Sequence, residues 1–191
     1  MPTLSIRAVQ SRTKLFTSLG RTAEETLASL AARLNPTEEY DLFFACEGLA
    51  PELVLGVKLT LDDFGYKTLF EWPLEPPSRR MQITPERASS LREKLDHSRS
   101  FLFVTTAART ECSWLPWAFG YCEGQHGRVA VLPMTPSSAD IYRGEDYLNI
   151  YPYVASYSLK NHKEILVVMH GAQIYCTFDN WLNGTENPDG L

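Results

Sequence analysis

Residues 40–46, Tyr-Asp-Leu-Phe-Phe-Ala-Cys, decide the fold of this chain. From Leu42 onward every residue is apolar, too short a run for a helix and too continuous for a strand with one wet face. Such a run suits a strand buried on both faces, and a strand of that kind needs helices above and below it.

The flanking sequence supplies them. Residues 53–64 read as a helix, with Leu53, Val54, Val57, Leu61 and Phe64 on one face and Gly65 as its stop. Residues 67–72, Lys-Thr-Leu-Phe-Glu-Trp, read as a second strand. The proline-rich stretch 73–83, which carries Arg79 and Arg80, reads as a loop. Thr84-Pro85-Glu86 places a cap, a first-turn proline and an acid in helix-start order, and the helix runs to about His97 with Ala88, Leu91 and Leu95 inward. His97 then sits at a helix C-terminus, where positive charge is welcome. Residues 100–106 are a third strand, 113–123 a helix and 128–132 a fourth strand. Strands of this buried type alternating with helices predict a parallel sheet covered on both faces, with ligands beyond the carboxyl ends of the strands.

The ends of the chain are less regular. Residues 1–21 have weak periodicity and suit an irregular arm or an edge strand. Thr22 can cap a helix that carries Glu24 and Glu25 in its first turn, with Leu27, Leu30, Ala31 and Leu34 in a stripe and Asn35-Pro36 as the stop. Towards the C-terminus, 147–157 is tyrosine-rich, 165–169 and 173–176 read as strands joined at His170-Gly171, and Phe178, Trp181 and Leu182 suggest a short closing helix. The organisation expected is an arm and helix over 1–39, a core over 40–135, and an extension over 136–191 packed on the same domain.

Composition bounds the function. A chain of 191 residues with 44% hydrophobic content can bury a real core. Its net charge of −5 argues against nucleic-acid binding, which needs clustered Lys and Arg. No apolar run approaches the roughly 20 residues of a membrane span, and no apolar stretch follows Arg7, Arg12 and Lys14 as a secretory signal requires. Cys46, Cys112, Cys122 and Cys176 lack CxxC spacing and read as thiols of a reducing, cytoplasmic compartment. Neither GxGxxG nor GxxxxGK[ST] nor GxSxG is present. The histidines (97, 126, 162 and 170) have no metal-ligand spacing, so no metal site is expected.

Residues 111–124, Glu-Cys-Ser-Trp-Leu-Pro-Trp-Ala-Phe-Gly-Tyr-Cys-Glu-Gly, hold the chemistry. Ser113 stands where a cap belongs, Pro116 falls in the first turn, and Trp114 and Trp117 lie three apart. A helix N-terminus can receive a phosphate, and an indole beside it can stack a base or a pyridinium ring. Both tryptophans also suit a plain core. Position 118 lies one turn beyond Trp114 on the same side, and it is an alanine.

From Tyr40 to about Pro133 the order and spacing of these segments resemble a bacterial Toll/interleukin-1 receptor (TIR) domain. The match rests on residues 40–46, on Leu61-Asp62-Asp63-Phe64-Gly65-Tyr66 leading into Leu69-Phe70-Glu71-Trp72, and on Thr84 at the next helix. Ser98-Arg99-Ser100, Ser113-Trp114 and Gly127-Arg128-Val129-Ala130-Val131-Leu132-Pro133 complete it. The tail from Tyr147-Leu148 to Tyr151-Pro152-Tyr153 resembles that of defence-associated members such as those of Thoeris anti-phage systems. The resemblance implies an α/β, flavodoxin-like fold and cleavage of the nicotinamide–ribose bond of NAD+, which is a substrate and no resident cofactor. The products would be nicotinamide and an ADP-ribose-derived signal, linear, cyclic or conjugated, read by a separate effector. It also implies a homo-oligomer.

The family places its catalytic glutamate four residues after the motif tryptophan, where this chain has Ala118. Two readings of that alanine stand: an engineered replacement of the glutamate, or a natural pseudoenzyme. Either way, a chain with alanine at that position is expected to bind NAD+ and barely cleave it. Glu123, about 140° further round the helix, is no substitute, and Glu71 lies on another loop. The resemblance puts Phe44, Ala45 and Cys46 around the nicotinamide and its ribose. Arg79 and Arg80 suit a pyrophosphate, and Trp72 suits adenine or the core. Two rivals stay open, a non-enzymatic TIR adaptor that signals by self-association and a nucleoside deoxyribosyltransferase-like enzyme.

Overall fold

The computed structural model describes residues 3–17, 20–35, 37–46, 48–70, 84–106, 114–137, 146–170 and 173–185. The expected buried strand is there as β2 (Leu42–Ala45), with all four residues buried. Helix α3 (Pro51–Asp63) follows it, and Gly65 at φ 91° ends that helix as expected. Then come β3 (Thr68–Phe70), α4 (Pro85–Asp96), β4 (Phe101–Thr105), α5 (Leu115–Gln125) and β5 (Val129–Thr135). Thr84 caps α4 through the N–H of Arg87, and His97 closes it with Nδ1 3.1 Å from a Glu39 carboxylate oxygen.

Strands β2, β3, β4 and β5 are parallel in the order β3-β2-β4-β5, the flavodoxin-like arrangement. The sheet goes on past them. β6 (Tyr153–Ser158) pairs parallel with β5 through Val131 and Tyr153 alone, then antiparallel with β7 (Glu164–His170), which pairs with β8 (Gln173–Thr177). The tyrosine-rich tail thus contributes a further strand parallel to β5, preceded by a short 3₁₀ turn at Asp146–Ile150. The closing helix α6 (Phe178–Asn183) is capped by Thr177 and stopped by Gly184 at φ 68°.

The N-terminal segment is more ordered than its periodicity suggests. Leu4–Ser5 form β1, which pairs with Met134 and Thr135, and α1 (Ile6–Thr17) follows. β5 therefore continues through Pro133, where the sequence pattern ends a strand. The proline opposes Thr105 in register, and β1 bonds the residues beyond it. Helix α2 (Ala23–Ala31) opens with the expected Thr22 cap, completed as a capping box by Glu25. The backbone and side-chain hydrogen bonds of Thr22 hold the Glu25 carboxyl below its usual range.

Two buried layers sandwich the sheet. Leu42, Phe44, Phe70, Leu102, Val104, Ala130 and Leu132 face α1, α2, α3 and α6. Phe43, Ala45, Leu69, Phe101, Phe103, Val129 and Val131 face α4 and α5. The split follows the period-2 alternation of side chains along each strand. Among the described residues no helix is long and apolar enough to cross a membrane.

Candidate functional site

The chain runs from β2 to β3 on one side and then returns across β2 to β4 on the other, so the topological switch lies between β2 and β4. Their carboxyl ends are Ala45-Cys46 and Thr105-Thr106, and α4 and α5 start at that end of the sheet, each following a parallel strand. A crevice between these ends is where an open α/β sheet takes a ligand.

Helix α5 brings the key positions together. Trp114 is its N-terminal flanking residue, with φ −86° and ψ −17°, and Pro116 lies in the first turn. The Trp114 side chain is 1% exposed. Its carbonyl accepts the Ala118 N–H at 3.0 Å, which sets position 118 one turn along. Ala118 is fully buried in the same cluster as Trp114, Leu115, Phe103 and Ala45. Its methyl group points inward, to the α4–α5 side of the sheet, in the cluster that includes the carboxyl end of β2.

Two cations that the sequence pattern does not single out organise the tryptophans. Arg87, in the first turn of α4, has its guanidinium 5.7 Å from the Trp114 ring centre. Arg92 lies 5.3 Å from the Trp117 ring, whose other neighbour, Tyr121, stacks at 5.6 Å and 27°. The Tyr121 hydroxyl donates to Asp96 at 2.7 Å, and this bond pushes the phenol above its ordinary range. Gln125 Nε2 reaches Asp96 and the Tyr121 hydroxyl as well. Trp117 is thus half-buried in a stack that ties α4 to α5. The signal for these arginines was available: basic residues on a helix that starts at the ligand end of the sheet, beside a helix rich in tryptophan.

The expected site residues divide. Ala45, Trp114, Trp117 and Ala118 lie on the α4–α5 side. Phe44 does not join them. Strand alternation turns it to the opposite layer, where it stacks on Phe70 at 5.5 Å, and half-buried Cys46 packs against that layer too. Trp72, Arg79, Arg80 and Ser113 lie outside the described residues. Glu123 is exposed, its carboxylate 3.5 Å from the Tyr151 hydroxyl, whereas position 118 is buried. Among the described residues no three His, Cys, Asp or Glu side chains gather as a metal site.

The arrangement offers an aromatic, cation-flanked helix N-terminus beside two strand ends, with a methyl group at its centre. Position 118 within it is a buried alanine, so that position offers no carboxylate. No model of a known protein family matches the chain. A protein of Bacillus cereus (strain MSX-D12) named "Probable 3' cyclic ADP-D-ribose synthase ThsB'" is 30% identical over 167 residues, covering 86% of each chain.

Proposed function

We infer the function from one premise: the chain belongs to the bacterial TIR-domain proteins of the Thoeris anti-phage type. It is an NAD+-converting TIR protein that holds the dinucleotide at the carboxyl ends of β2 and β4, beside the starts of α4 and α5, and whose product class is a cyclic ADP-ribose, in line with the relative's name. It works as a cytoplasmic signal generator that assembles with copies of itself and acts on its effector through the diffusible product. With alanine at position 118 it is close to inactive.

The chemistry asks for little from the protein. Nicotinamide leaves with the electron pair of the glycosidic bond, because the cationic ring becomes neutral as it goes. Positive charge then develops at the ribose C1′, and a carboxylate beside the ribose stabilises it. A hydroxyl of the same molecule closes the ring by bonding to C1′ and releasing its proton. Arg87 and the N-terminus of α5 suit the phosphates, and an indole face suits the cationic nicotinamide ring.

The observation that carries this reading is the position of Ala118, fully buried one turn after Trp114 in the cluster that includes Ala45. Burial would raise the pKa of a glutamate there, and the positive end of α5 would offset part of that rise. Ala118→Glu is expected to raise nicotinamide release from NAD+ by about 100-fold or more, the size of one preorganised electrostatic contact. Chromatography of the products should show a cyclised ADP-ribose. If the glutamate variant folds, binds NAD+ and still releases no nicotinamide, the self-association reading takes its place.

A further inference from the structure

On the other side of the sheet, a second cleft opens between the end of α1 and α2. It encloses about 350 Å³ and is lined by Phe16, Arg21, Thr26, Ser29, Leu30 and Arg33. That volume is at the low end of small-molecule sites, which run from roughly 300 to 1,000 Å³. The walls are mainly apolar, from the Phe16 ring and Leu30. Phe16 is 44% exposed and Leu15 beside it 70%, a pair of large apolar side chains left to solvent next to the cleft.

The charge here runs against that of the rest of the molecule. Residues 1–35 hold five basic side chains (Arg7, Arg12, Lys14, Arg21, Arg33) and two acidic ones (Glu24, Glu25), a balance of +3 in a chain whose total is −5. Arg12 is paired with Asp63 at 2.5 Å. Arg21 and Arg33, the two at the cleft, form no salt bridge among the described residues. Glu25 feels the charge of Arg21, but its carboxylate is engaged in the Thr22 capping box. Two arginines therefore line the same cleft as a half-exposed aromatic residue, together with Ser29.

We propose that this cleft binds a small aromatic acid, its ring on Phe16 and Leu30 and its acidic group held between Arg21 and Arg33. Guanidinium matches carboxylate, sulfonate and phosphate oxygens in the same fork geometry, and a planar body gains most against an aromatic wall. The cleft is separate from the α4–α5 side that holds position 118, because α1 and α2 pack on the opposite layer. It does not rest on the NAD+ reading. A ligand seated there would join the end of α1 to α2, and both helices pack on α3.

The probes are anilinonaphthalene sulfonate, an aromatic monoanion whose fluorescence reports burial, and its uncharged relative phenylnaphthylamine. The folded chain should bind the sulfonate at a single saturable site, about tenfold or more tighter than the uncharged compound. Arg21→Glu and Arg33→Glu, both at exposed positions, should each weaken the sulfonate about tenfold and leave the uncharged probe unchanged. Phe16→Ala should weaken both probes, and excess NAD+ should displace neither. Circular dichroism of each variant confirms its fold. The proposal is overturned if no saturable site exists, if both arginine variants bind the sulfonate as the parent does, or if NAD+ competes it away.

Discussion

The helices of the two layers of this protein are held to one another by different means. The α1–α3 layer interlocks by steric fit. At Gly56 of α3 there is no room for a side chain, since a Cβ there would overlap the Val9 carbonyl and lie 2.5 Å from Val9 Cγ1 and 2.8 Å from Thr13 Oγ1. Thr13 in turn donates to the Glu52 carbonyl at 2.6 Å. The α4–α5 layer is built from rings and cations. Arg87 and Arg92 lie over Trp114 and Trp117, and Phe119 packs edge-on to Phe101 and at 4.4 Å to Tyr151. Close backbone contact suits helices that must keep a fixed spacing. Aromatic faces with adjustable cations suit one that exchanges a flat, charged ligand, and this is the layer in which position 118 lies.

The contrast can be broken or sharpened by perturbing each layer in turn. The largest effect concerns Cys122, on the inward face of α5 and fully buried. Burial, with Asp96 adding to it, pushes this thiol up to about 12 from an ordinary 9.0. The native protein should then carry roughly 10³-fold less thiolate at this position than the unfolded chain, and alkylation at pH 8 should be slowed to match. The sign for stability follows. The stabilisation is complete below pH 9.0 and is lost as pH rises through the window up to about 12, so urea midpoints should fall there. Rapid alkylation of Cys122 in the folded protein would mean that the ring-built layer is open.

Next is the steric layer. Gly56→Ala should cost about 3 kcal/mol in chemical unfolding, because the overlap is with backbone and a stiff valine. A loss under half that size would show that α1 can shift outward at little cost, and the interlock would be no more rigid than the stack opposite. Trp117→Ala should cost less, about 2 kcal/mol, since the ring is half-buried and one of its partners is a solvent-exposed arginine. Its loss should also loosen α4 from α5 in amide exchange, while α1 and α3 stay protected.

Much of this fold was legible in the sequence because a strand buried on both faces leaves a plain signature. Residues 42–45, 101–105 and 129–132 are such runs, and Thr84-Pro85 and Thr22 mark helix starts by cap chemistry that needs no tertiary context. Helix α1 was not legible. It buries only Val9 and Thr13, so its apolar stripe is too thin to see, and what fixes it is a glycine more than forty residues away. The extent of β5 was hidden by Pro133, and β6 by its single bridge to β5. Of the site, the helix position of Trp114 and Ala118 could be read from spacing. The separation of Phe44 from Ala45 was implicit in strand alternation, and the two arginines stood on a helix that starts at the ligand end of the sheet, although their ring partners follow only from the packing of α4 on α5.

If the dinucleotide binds on the ring-built side, ligand protection must appear there and nowhere else. Hydrogen exchange measured by mass spectrometry on the Ala118 protein, with and without saturating NAD+, tests this most directly. Slowed exchange confined to the carboxyl ends of β2 and β4, the start of α4 and the first turns of α5 is the predicted result. Protection centred on α1, α2 and α3, or none anywhere at saturation, would contradict it.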